Sequence, residues 1–237
     1  PETEIEPEDI PLDILYEDDD VVVIDKPRGM VVHPGAGNRS GTLVQGVMHH
    51  CSRMAEEFPD EPLRPGVVHR LDKETSGVII VAKNKRAHEY LASQFRRRRT
   101  KKRYLAIVKG EIRHTGGTVE HPIARDRHYR KRFTWTRSEG KKAFTRYKVI
   151  KRFSGYTLVL LAPKTGRTHQ LRVHMLSENH PILGDPVYGR KDKRFPDADL
   201  MLHAVSLTVR LPKDREEHTF KAQIPNRFRG VLSELNR

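Results

Sequence analysis

The polar stretch over residues 69–77 has the greatest potential for chemistry, because it interrupts two short apolar runs. Within it, Asp72 has Arg70 and Lys73 as near neighbours, and a cation against its carboxylate would favour the ionised form. An ionised and shielded carboxylate is a competent nucleophile at a sugar carbon. The alternative is a polar turn in which Gly77 supplies backbone freedom. The pattern by itself does not decide between the two interpretations.

A second candidate stretch, residues 165–174, carries cationic and titratable side chains near the start of a predicted helix. Arg167 would lie at or just before the first turn, where the helix dipole favours anions. His169 and Arg172 are three residues apart and would share a helix face. These side chains suit a phosphate or a partner carboxylate. The alternative is a basic, solvated helix start.

A third candidate is the basic run over residues 96–99 and 101–103, which leads directly into Tyr104. Basic side chains can follow a phosphate backbone, and an aromatic ring can stack on a base. The alternative is a solvated helix end followed by a core tyrosine. The charge of the whole chain favours nucleic acid for the arginines, whereas for Tyr104 alone a position in the core is favoured.

Composition limits the classes of partner and cofactor. The 237 residues include 45 Lys or Arg and 31 Asp or Glu, a formal net charge of +14, which favours a polyanionic partner such as nucleic acid. Cys51 is the single cysteine, so an internal disulfide and a Cys-rich metal site are excluded. No His-Glu-x-x-His pattern occurs, and we predict neither a metal nor a cofactor.

Targeting signals are not visible in the sequence. No apolar run approaches the roughly 20 residues that a membrane helix needs, so we predict no membrane partner. The acidic, Pro-rich residues 1–11 are typical of a linker or tail rather than of a signal peptide. The chain begins at Pro1 instead of a methionine, which is typical of a fragment.

Hydrophobic periodicity predicts more strands than helices. The expected strands are two runs within 12–25, then 67–68, 78–81, 104–108, a hairpin of 145–150 with 156–162, 202–211 and 217–224. The expected helices are 42–51, 85–98, 168–178 and 227–235. This mixture predicts an α+β fold with a large, mostly antiparallel mixed sheet flanked by helices, in one compact domain over residues 12–237.

Taken together, these segments resemble the RluA family of RNA pseudouridine synthases, most closely its RluD-type branch that acts on ribosomal large-subunit RNA. The similar segments follow the family's order and cover most of the chain, from about residue 7 to residue 225. They are residues 25–29 with 32–34, 69–77, 104–106 with 108–110, 165–174, 184–189 and 202–204.

The resemblance implies a catalytic role for three residues. Asp72 matches the family's catalytic aspartate, which attacks the uridine at the ribose C1′. Uracil then leaves through N1, rotates and rejoins through C5. Tyr104 matches the tyrosine that packs on the target base and is discussed as a proton-transfer group. Arg167 matches the arginine that pairs with the catalytic aspartate.

The resemblance also implies residues that bind RNA or support the site. Arg70 is similar to the arginine that enters the RNA stack where the target nucleotide is extruded, a step that costs a few kcal/mol. Leu202 lies where the family has an apolar pocket wall. Lys26 and Pro27 match the first family motif, whose role looks structural as much as catalytic. The remaining expected RNA contacts are His69, Lys73, Thr75, His169 and Arg172.

The activity implied by the resemblance is isomerisation of specific uridines in RNA to pseudouridine, with 23S ribosomal RNA favoured as substrate. We expect a cytoplasmic monomer whose partner is RNA, without an N-terminal S4-type RNA-binding domain in this chain. The alternatives are the same chemistry on tRNA and a non-catalytic RNA-binding protein. A glycosidase or nucleosidase is a weaker alternative, because that chemistry mostly uses a pair of carboxylates.

Overall fold

The computed structural model describes most of the chain in two compact units. The described residues are 5–35, 37–61, 63–129, 132–137 and 139–237. The first unit comprises Pro1–Lys101 with Ser206–Ala222, and the second comprises Lys102–Val205 with Gln223–Arg237. The prediction of a single domain over 12–237 stays a prediction. Of the predicted tail over 1–11, residues 1–4 lie outside the described residues.

The first unit contains a buried antiparallel sheet with helices packed against it. Its elements are β1 (Ile14–Glu17), β2 (Val21–Lys26), α1 (Leu43–His50), α2 (Met54–Glu57), β3 (Ser76–Ala82), α3 (Lys85–Arg96), the later part of β10 (Leu202–Arg210) and β11 (Glu217–Lys221). Antiparallel ladders join β1 to β2, β2 to β3, and β10 to β11. Strands β2 and β3 carry β-branched residues that are almost entirely buried, which suits a central position in a sheet.

Local signals explain where the first unit's helices begin. Thr42 and Gln45 form a capping box at the start of α1, in which each side chain satisfies the other's backbone N–H. Asn84 caps α3 by accepting from the N–H of Ala87. Residues 5–11 have no regular secondary structure, yet the N–H of Glu8 donates to the carbonyl of Gln45, so this segment contacts α1.

The second unit contains the other strands and two helices. Its elements are β4 (Lys101–Lys109), β5 (Gly116–Val119), β6 (Ile123–Arg125), β7 (Phe133–Trp135), β8 (Thr145–Phe153), β9 (Tyr156–Pro163), α4 (Gln170–Ser177), the first residues of β10 and α5 (Asn226–Leu235). The hydrogen-bonded order is β10-β4-β9-β8-β5, and β6 pairs with β7 as a separate hairpin. Helices α4 and α5 pack on an apolar cluster that includes Ile107, Leu161 and Phe228.

The predicted fold class is confirmed, since the structure is α+β with a large, mostly antiparallel sheet flanked by helices. The hairpin predicted around Ser154-Gly155 is β8 with β9. Residues 67–68 are not a strand, and only an isolated bridge joins Val67 to Val81. Helix α4 begins at Gln170 instead of residue 168, because His169 has a left-handed backbone with φ 55°. Helix α2 and the short strands β5, β6 and β7 were not predicted from the sequence.

Candidate active site

The segment that carries Asp72 runs close beside β3 before it turns to enter that strand. Gly66 starts the segment with φ +68°, and a Cβ there would lie 2.0 Å from the carbonyl oxygen of Ala82. Only glycine fits such a close approach of two backbones. The N–H of Ala82 donates to the carbonyl of Gly66 at 2.9 Å, and Val67 bridges Val81. The start of the segment is therefore fixed against a buried strand.

His69 is held by two contacts inside the first unit. Its Nε2 accepts from the N–H of Ile80 at 3.1 Å, which requires the neutral tautomer with its proton on Nδ1. Its ring stacks on Phe95 of α3, with centroids 4.5 Å apart. These contacts give His69 a positioning role next to the exposed Arg70, and its predicted contact with RNA stays a prediction.

A tight turn presents Asp72. Leu71 is buried beneath the turn while Asp72 is half-buried, and the N–H of Thr75 donates to the carbonyl of Asp72 at 3.0 Å. Thr75 itself is only 2% exposed. The side chain of Thr75 is therefore enclosed by the unit while its backbone closes the turn, and its predicted contact with RNA stays a prediction.

Lys26 anchors the same turn from the end of β2. Its side chain is 0% exposed, and its Nζ donates to the carbonyls of Pro27, Met30 and Lys73 at 3.0, 2.7 and 3.2 Å. The N–H of Gly29 also donates to the carbonyl of Lys73, at 2.7 Å. The segment after β2 and the residue after Asp72 are thus joined through a buried ammonium.

The exposed side of this turn is strongly cationic. Arg70 and Lys73 are exposed, and the Nζ of Lys73 donates to Oδ1 of Asn38 at 3.4 Å. Burial lowers the pKa of His33, and the nearby charges of Arg70 and Arg64 lower it further. A neutral imidazole therefore lies near Arg70 at neutral pH, on the surface where an RNA phosphate is expected.

Tyr104 lies on β4 in the second unit, directly opposite Leu161 of β9. Tyr104 is half-buried and packs against the apolar cluster to which Leu202 belongs. Leu202 is 3% exposed, which fits an apolar wall better than a surface contact. The structure therefore brings these two predicted residues to one cluster.

Gln170 organises the loop that carries Arg167, a role that was not predicted from the sequence. Its Oε1 accepts from the hydroxyl of Thr165 at 2.6 Å and from the N–H of Arg167 at 3.1 Å. Its amide donates to the carbonyl of Phe144 and to the hydroxyl of Thr145, both at 3.0 Å. A glutamine on a mostly buried helix face was the available signal, because buried amides must be satisfied.

His169 occupies the cap position of α4 with a left-handed backbone, which is uncommon for a residue with a Cβ. Its Nδ1 lies 2.8 Å from the hydroxyl of Tyr188, and its ring meets Phe133 edge-on at 5.5 Å. Such local strain costs about 1–3 kcal/mol and persists where surrounding contacts impose it. His169 and Arg172 therefore do not share a helix face.

Arg172 forms a buried ion pair. Its side chain is 4% exposed, and its Nε and Nη2 donate to the two carboxylate oxygens of Asp185, both at 2.7 Å. Burial alone would raise the pKa of Asp185, but the bonds and charge of Arg172 outweigh it and hold this pKa below its usual range. The guanidinium is thus enclosed by the unit, and the predicted contact of Arg172 with RNA stays a prediction.

Lys102, which was predicted from the sequence only as part of a basic run, lies beside the loop that carries Arg167. Its Nζ lies 3.6 Å from the position that a Cβ on Gly166 would occupy, beside the Arg167 loop. Burial lowers the pKa of Lys102 to about 8. On β4 it is two residues from Tyr104, so both side chains leave the same face of the strand. Within the described residues, no hydrogen bond or ion pair engages this ammonium.

The predicted site residues fall into two groups. The first unit brings together Lys26, Pro27, His69, Arg70, Asp72, Lys73 and Thr75. The second unit holds Tyr104, Arg167, His169, Arg172 and Leu202. The Asp72–Arg167 pairing and the catalytic roles stay predictions.

One group of potential metal ligands occurs among the described residues, formed by Glu17, His50 and Cys51. The carboxylate of Glu17 already bonds to His50 Nε2 at 2.8 Å and to Lys83 Nζ at 2.7 Å. None of the predicted site residues belongs to this group. In the part of the chain that the structure describes, no helix combines the length and apolar character needed to cross a membrane.

Comparison with known proteins identifies the family to which this chain is similar. Residues 20–177 match the family model for RNA pseudouridylate synthase. The chain is 46% identical to ribosomal large subunit pseudouridine synthase D of Borreliella burgdorferi over 97% of its length and 70% of the relative's. It is 44% identical to YlyB of Bacillus subtilis, an uncharacterised RNA pseudouridine synthase, over 97% of the chain and 75% of the relative.

The fold agrees with the sequence comparison. The solved structure of human RNA pseudouridylate synthase domain containing 4 superposes with a TM-score of 0.73 at 27% identity, over 94% of this chain and 93% of that chain. The matched residues 20–177 include both Asp72 and Arg167, and the prediction of an RNA pseudouridine synthase is confirmed. The chain belongs to the RNA pseudouridylate synthase family.

Proposed function

We propose that this enzyme converts specific uridines of ribosomal large-subunit RNA to pseudouridine in the cytoplasm, as a monomer. The observation that carries this proposal is the 46% identity, over 97% of the chain, to a relative named for the ribosomal large subunit. The net charge of +14 supports a large polyanionic substrate.

Asp72 is the proposed nucleophile. Its carboxylate oxygen attacks C1′ of the uridine, and the C1′–N1 bond breaks with its electron pair leaving on uracil. The base rotates, a C1′–C5 bond forms, and the bond between Asp72 and C1′ breaks. N1 gains a proton and C5 loses one, so the product is an isomer of the substrate and Asp72 is regenerated.

The surrounding residues have supporting roles in this proposal. Arg167 pairs with the carboxylate of Asp72 and keeps it ionised, and Tyr104 packs on the rotating base and takes part in proton transfer. Arg70 replaces the extruded nucleotide in the RNA stack, with Lys73 nearby for a phosphate. The anchored turn between Leu71 and Thr75 supports such a mechanism, because a nucleophile must be held within a narrow range of positions.

The test is pseudouridine formation on an in vitro transcript of 23S ribosomal RNA by the wild-type chain and by Asp72→Asn. We expect a loss of about a thousandfold or more in rate for the variant, as for other nucleophiles, with RNA affinity retained. Mass spectrometry of the digested RNA measures the product. Modification of tRNA alone would overturn the substrate, and release of free uracil would overturn the isomerase mechanism.

A further inference from the structure

Three side chains, which we call the ligand cluster, lie where helix α1 ends beside strand β1 in the first unit. Glu17 is the last residue of β1, His50 is the last residue of α1, and Cys51 caps that helix. One potential ligand atom from each side chain lies within 4.8 Å of the other two. No metal was predicted from the sequence, in which Glu17 and His50 are 33 residues apart. The fold therefore brings a carboxylate to the His-Cys pair at the end of the helix.

The ligand cluster offers an oxygen, a nitrogen and a sulfur, which restricts the kind of ion it can bind. Ca²⁺ and Mg²⁺ take oxygen ligands, whereas Zn²⁺ binds carboxylate oxygen, imidazole nitrogen and thiolate sulfur. Zn²⁺ bonds of about 2.0–2.3 Å at tetrahedral angles place ligand atoms about 3.3–3.8 Å apart. The separations here run from 2.8 Å, between Glu17 and His50, to no more than 4.8 Å. Side-chain movements of about 1 Å would therefore produce tetrahedral geometry.

The backbone beneath the ligand cluster is fixed by hydrogen bonds. The N–H of Cys51 donates to the carbonyl of Val47 at 2.7 Å, and the carbonyl of Cys51 accepts from the N–H of Met54 at 2.9 Å. Glu17 is paired with Val22 in the ladder between β1 and β2. Ligands that are already held by a helix end and a strand lose little conformational entropy when an ion binds.

The charges around the ligand cluster favour a cation, although the whole chain carries +14. Residues 17–20 are four consecutive acidic residues, of which Asp20 is paired with Arg86. The cluster also lies at the C-terminal end of α1, which carries a partial negative charge. The opposing charge is Lys83, whose Nζ donates to the carboxylate of Glu17 at 2.7 Å and to a backbone carbonyl at 2.8 Å. Lys83 keeps the second acceptor if Glu17 turns to an ion.

We propose that Glu17, His50 and Cys51 bind a Zn²⁺ ion, with a water molecule as the fourth ligand. Cys51 binds as the thiolate and releases its proton to solvent, and His50 binds through Nε2 with its proton on Nδ1. The ion joins the end of α1 to the end of β1 and thereby stabilises the first unit. This proposal goes beyond the proposed function, because no residue assigned to the isomerisation takes part in it.

The test is titration of the reduced, metal-free chain with Co²⁺, a coloured ion that binds the same kinds of ligand as Zn²⁺. We expect the visible absorption of tetrahedral Co²⁺ with a thiolate charge-transfer band in the near ultraviolet, and the loss of both when Zn²⁺ is added. Cys51→Ser should abolish the charge-transfer band. It should also raise Kd by at least about 10- to 100-fold, because loss of an outer-shell partner alone has that effect. A wild-type chain without the charge-transfer band would overturn the proposal.

Two adjacent histidines provide a matched pair of variants. His50→Gln removes the proposed ligand, whereas His49→Gln changes the exposed histidine that precedes it on the same helix. We expect His50→Gln to weaken Co²⁺ and Zn²⁺ binding as much as Cys51→Ser does, and His49→Gln to bind like the wild type. Equal Kd values for the two histidine variants would overturn the role of His50.

Lys83 distinguishes this site from general attraction of cations to an acidic surface. Lys83→Gln should lower the Kd for Zn²⁺ about fivefold, because a positive charge beside the ion is removed. The control is Lys85→Gln, which removes the same charge from an exposed position in the same unit. Equal Kd values for the two lysine variants would leave only a general charge effect and would contradict competition between Lys83 and the ion.

Thermal unfolding shows whether the bound ion stabilises the fold. Zn²⁺ should raise the Tm of the wild type and of His49→Gln but not that of Cys51→Ser, since only a ligand of the folded state shifts the unfolding equilibrium. An equal rise in all three proteins would place the ion elsewhere and overturn the proposal. Circular dichroism without metal checks that each variant is folded. None of these measurements uses RNA, so they are independent of the test of pseudouridine formation.

Discussion

The Asp72 turn is bound by the buried cation Lys26, and helix α4, which follows the Arg167 loop, carries the buried cation Arg172. The two cations bind different kinds of acceptor. The bonds described for Lys26 end on three backbone carbonyls, whereas those of Arg172 end on the carboxylate of Asp185. Carbonyls carry no net charge and tolerate the loss of one donor. A buried carboxylate does not, because its charge is left uncompensated.

This difference predicts which of the two buried cations contributes more to the stability of its unit. Around the Asp72 turn, the Lys73 carbonyl also accepts from the N–H of Gly29, so it keeps one hydrogen bond if Lys26 is replaced. Around α4, Asp185 also accepts from the N–H groups of Val187 and Tyr188, but these cannot neutralise it. We therefore expect the second unit to depend more on its ion pair than the first depends on its buried lysine.

The largest effect should come from breaking that ion pair. Arg172→Met is expected to lower the free energy of unfolding by about 3–5 kcal/mol, the cost of leaving one buried charge unpaired. Urea unfolding at pH 7 measures it. Arg172→Met with Asp185→Leu should recover much of the loss, and a cost below that of exposed Arg229→Met would contradict the assigned role.

Removal of the buried lysine should cost less. Lys26→Met removes the hydrogen bonds from Nζ to the carbonyls of Pro27 and Met30. We expect the free energy of unfolding to fall by about 2–3 kcal/mol. The matched control is Lys85→Met, an exposed lysine in the same unit. A larger loss for Lys26→Met than for Arg172→Met would reverse the comparison between the two supports.

The stability of the protein at alkaline pH tests whether Lys102 is buried beside the Arg167 loop. Its folded-state pKa of about 8 lies below the ordinary 10.5, so the ammonium costs stability below pH 8 and the cost fades as pH rises towards 10.5. Between pH 7 and 9.5 the wild type should gain about 2 kcal/mol relative to Lys102→Met. If the free energy of unfolding changed equally with pH in the wild type and in Lys102→Met, burial would not lower the pKa of Lys102.

An acid titration should give the smallest and most specific difference. The pKa of Asp185 is lowered, so its stabilisation is complete above the ordinary value of 3.8 and is lost as pH falls through the lower folded-state pKa. The wild type should therefore lose more Tm on acidification than Arg172→Met with Asp185→Leu, because other carboxylates are common to both. Equal losses of Tm would argue against the charge of this pair.

The sequence by itself determined the fold class, most strands and helices, and the segments proposed to carry the chemistry. These features depend on local signals, which are short-range and visible in order along the chain. The β-branched run of β2, the capping box of α1 and the glycine between β8 and β9 are examples. The block around Asp72 was identifiable because a polar stretch between two apolar runs is unusual.

Only the tertiary structure decided which cations are buried and which are exposed. Arg172 and Arg127 are the same residue type, yet one binds Asp185 in the interior and the side chain of the other is exposed. Spacing along the chain cannot distinguish them, because a buried charge is tolerated only where a distant partner satisfies it. For the same reason the sequence could not predict that Lys26 would bind the carbonyl of Lys73, 47 residues away.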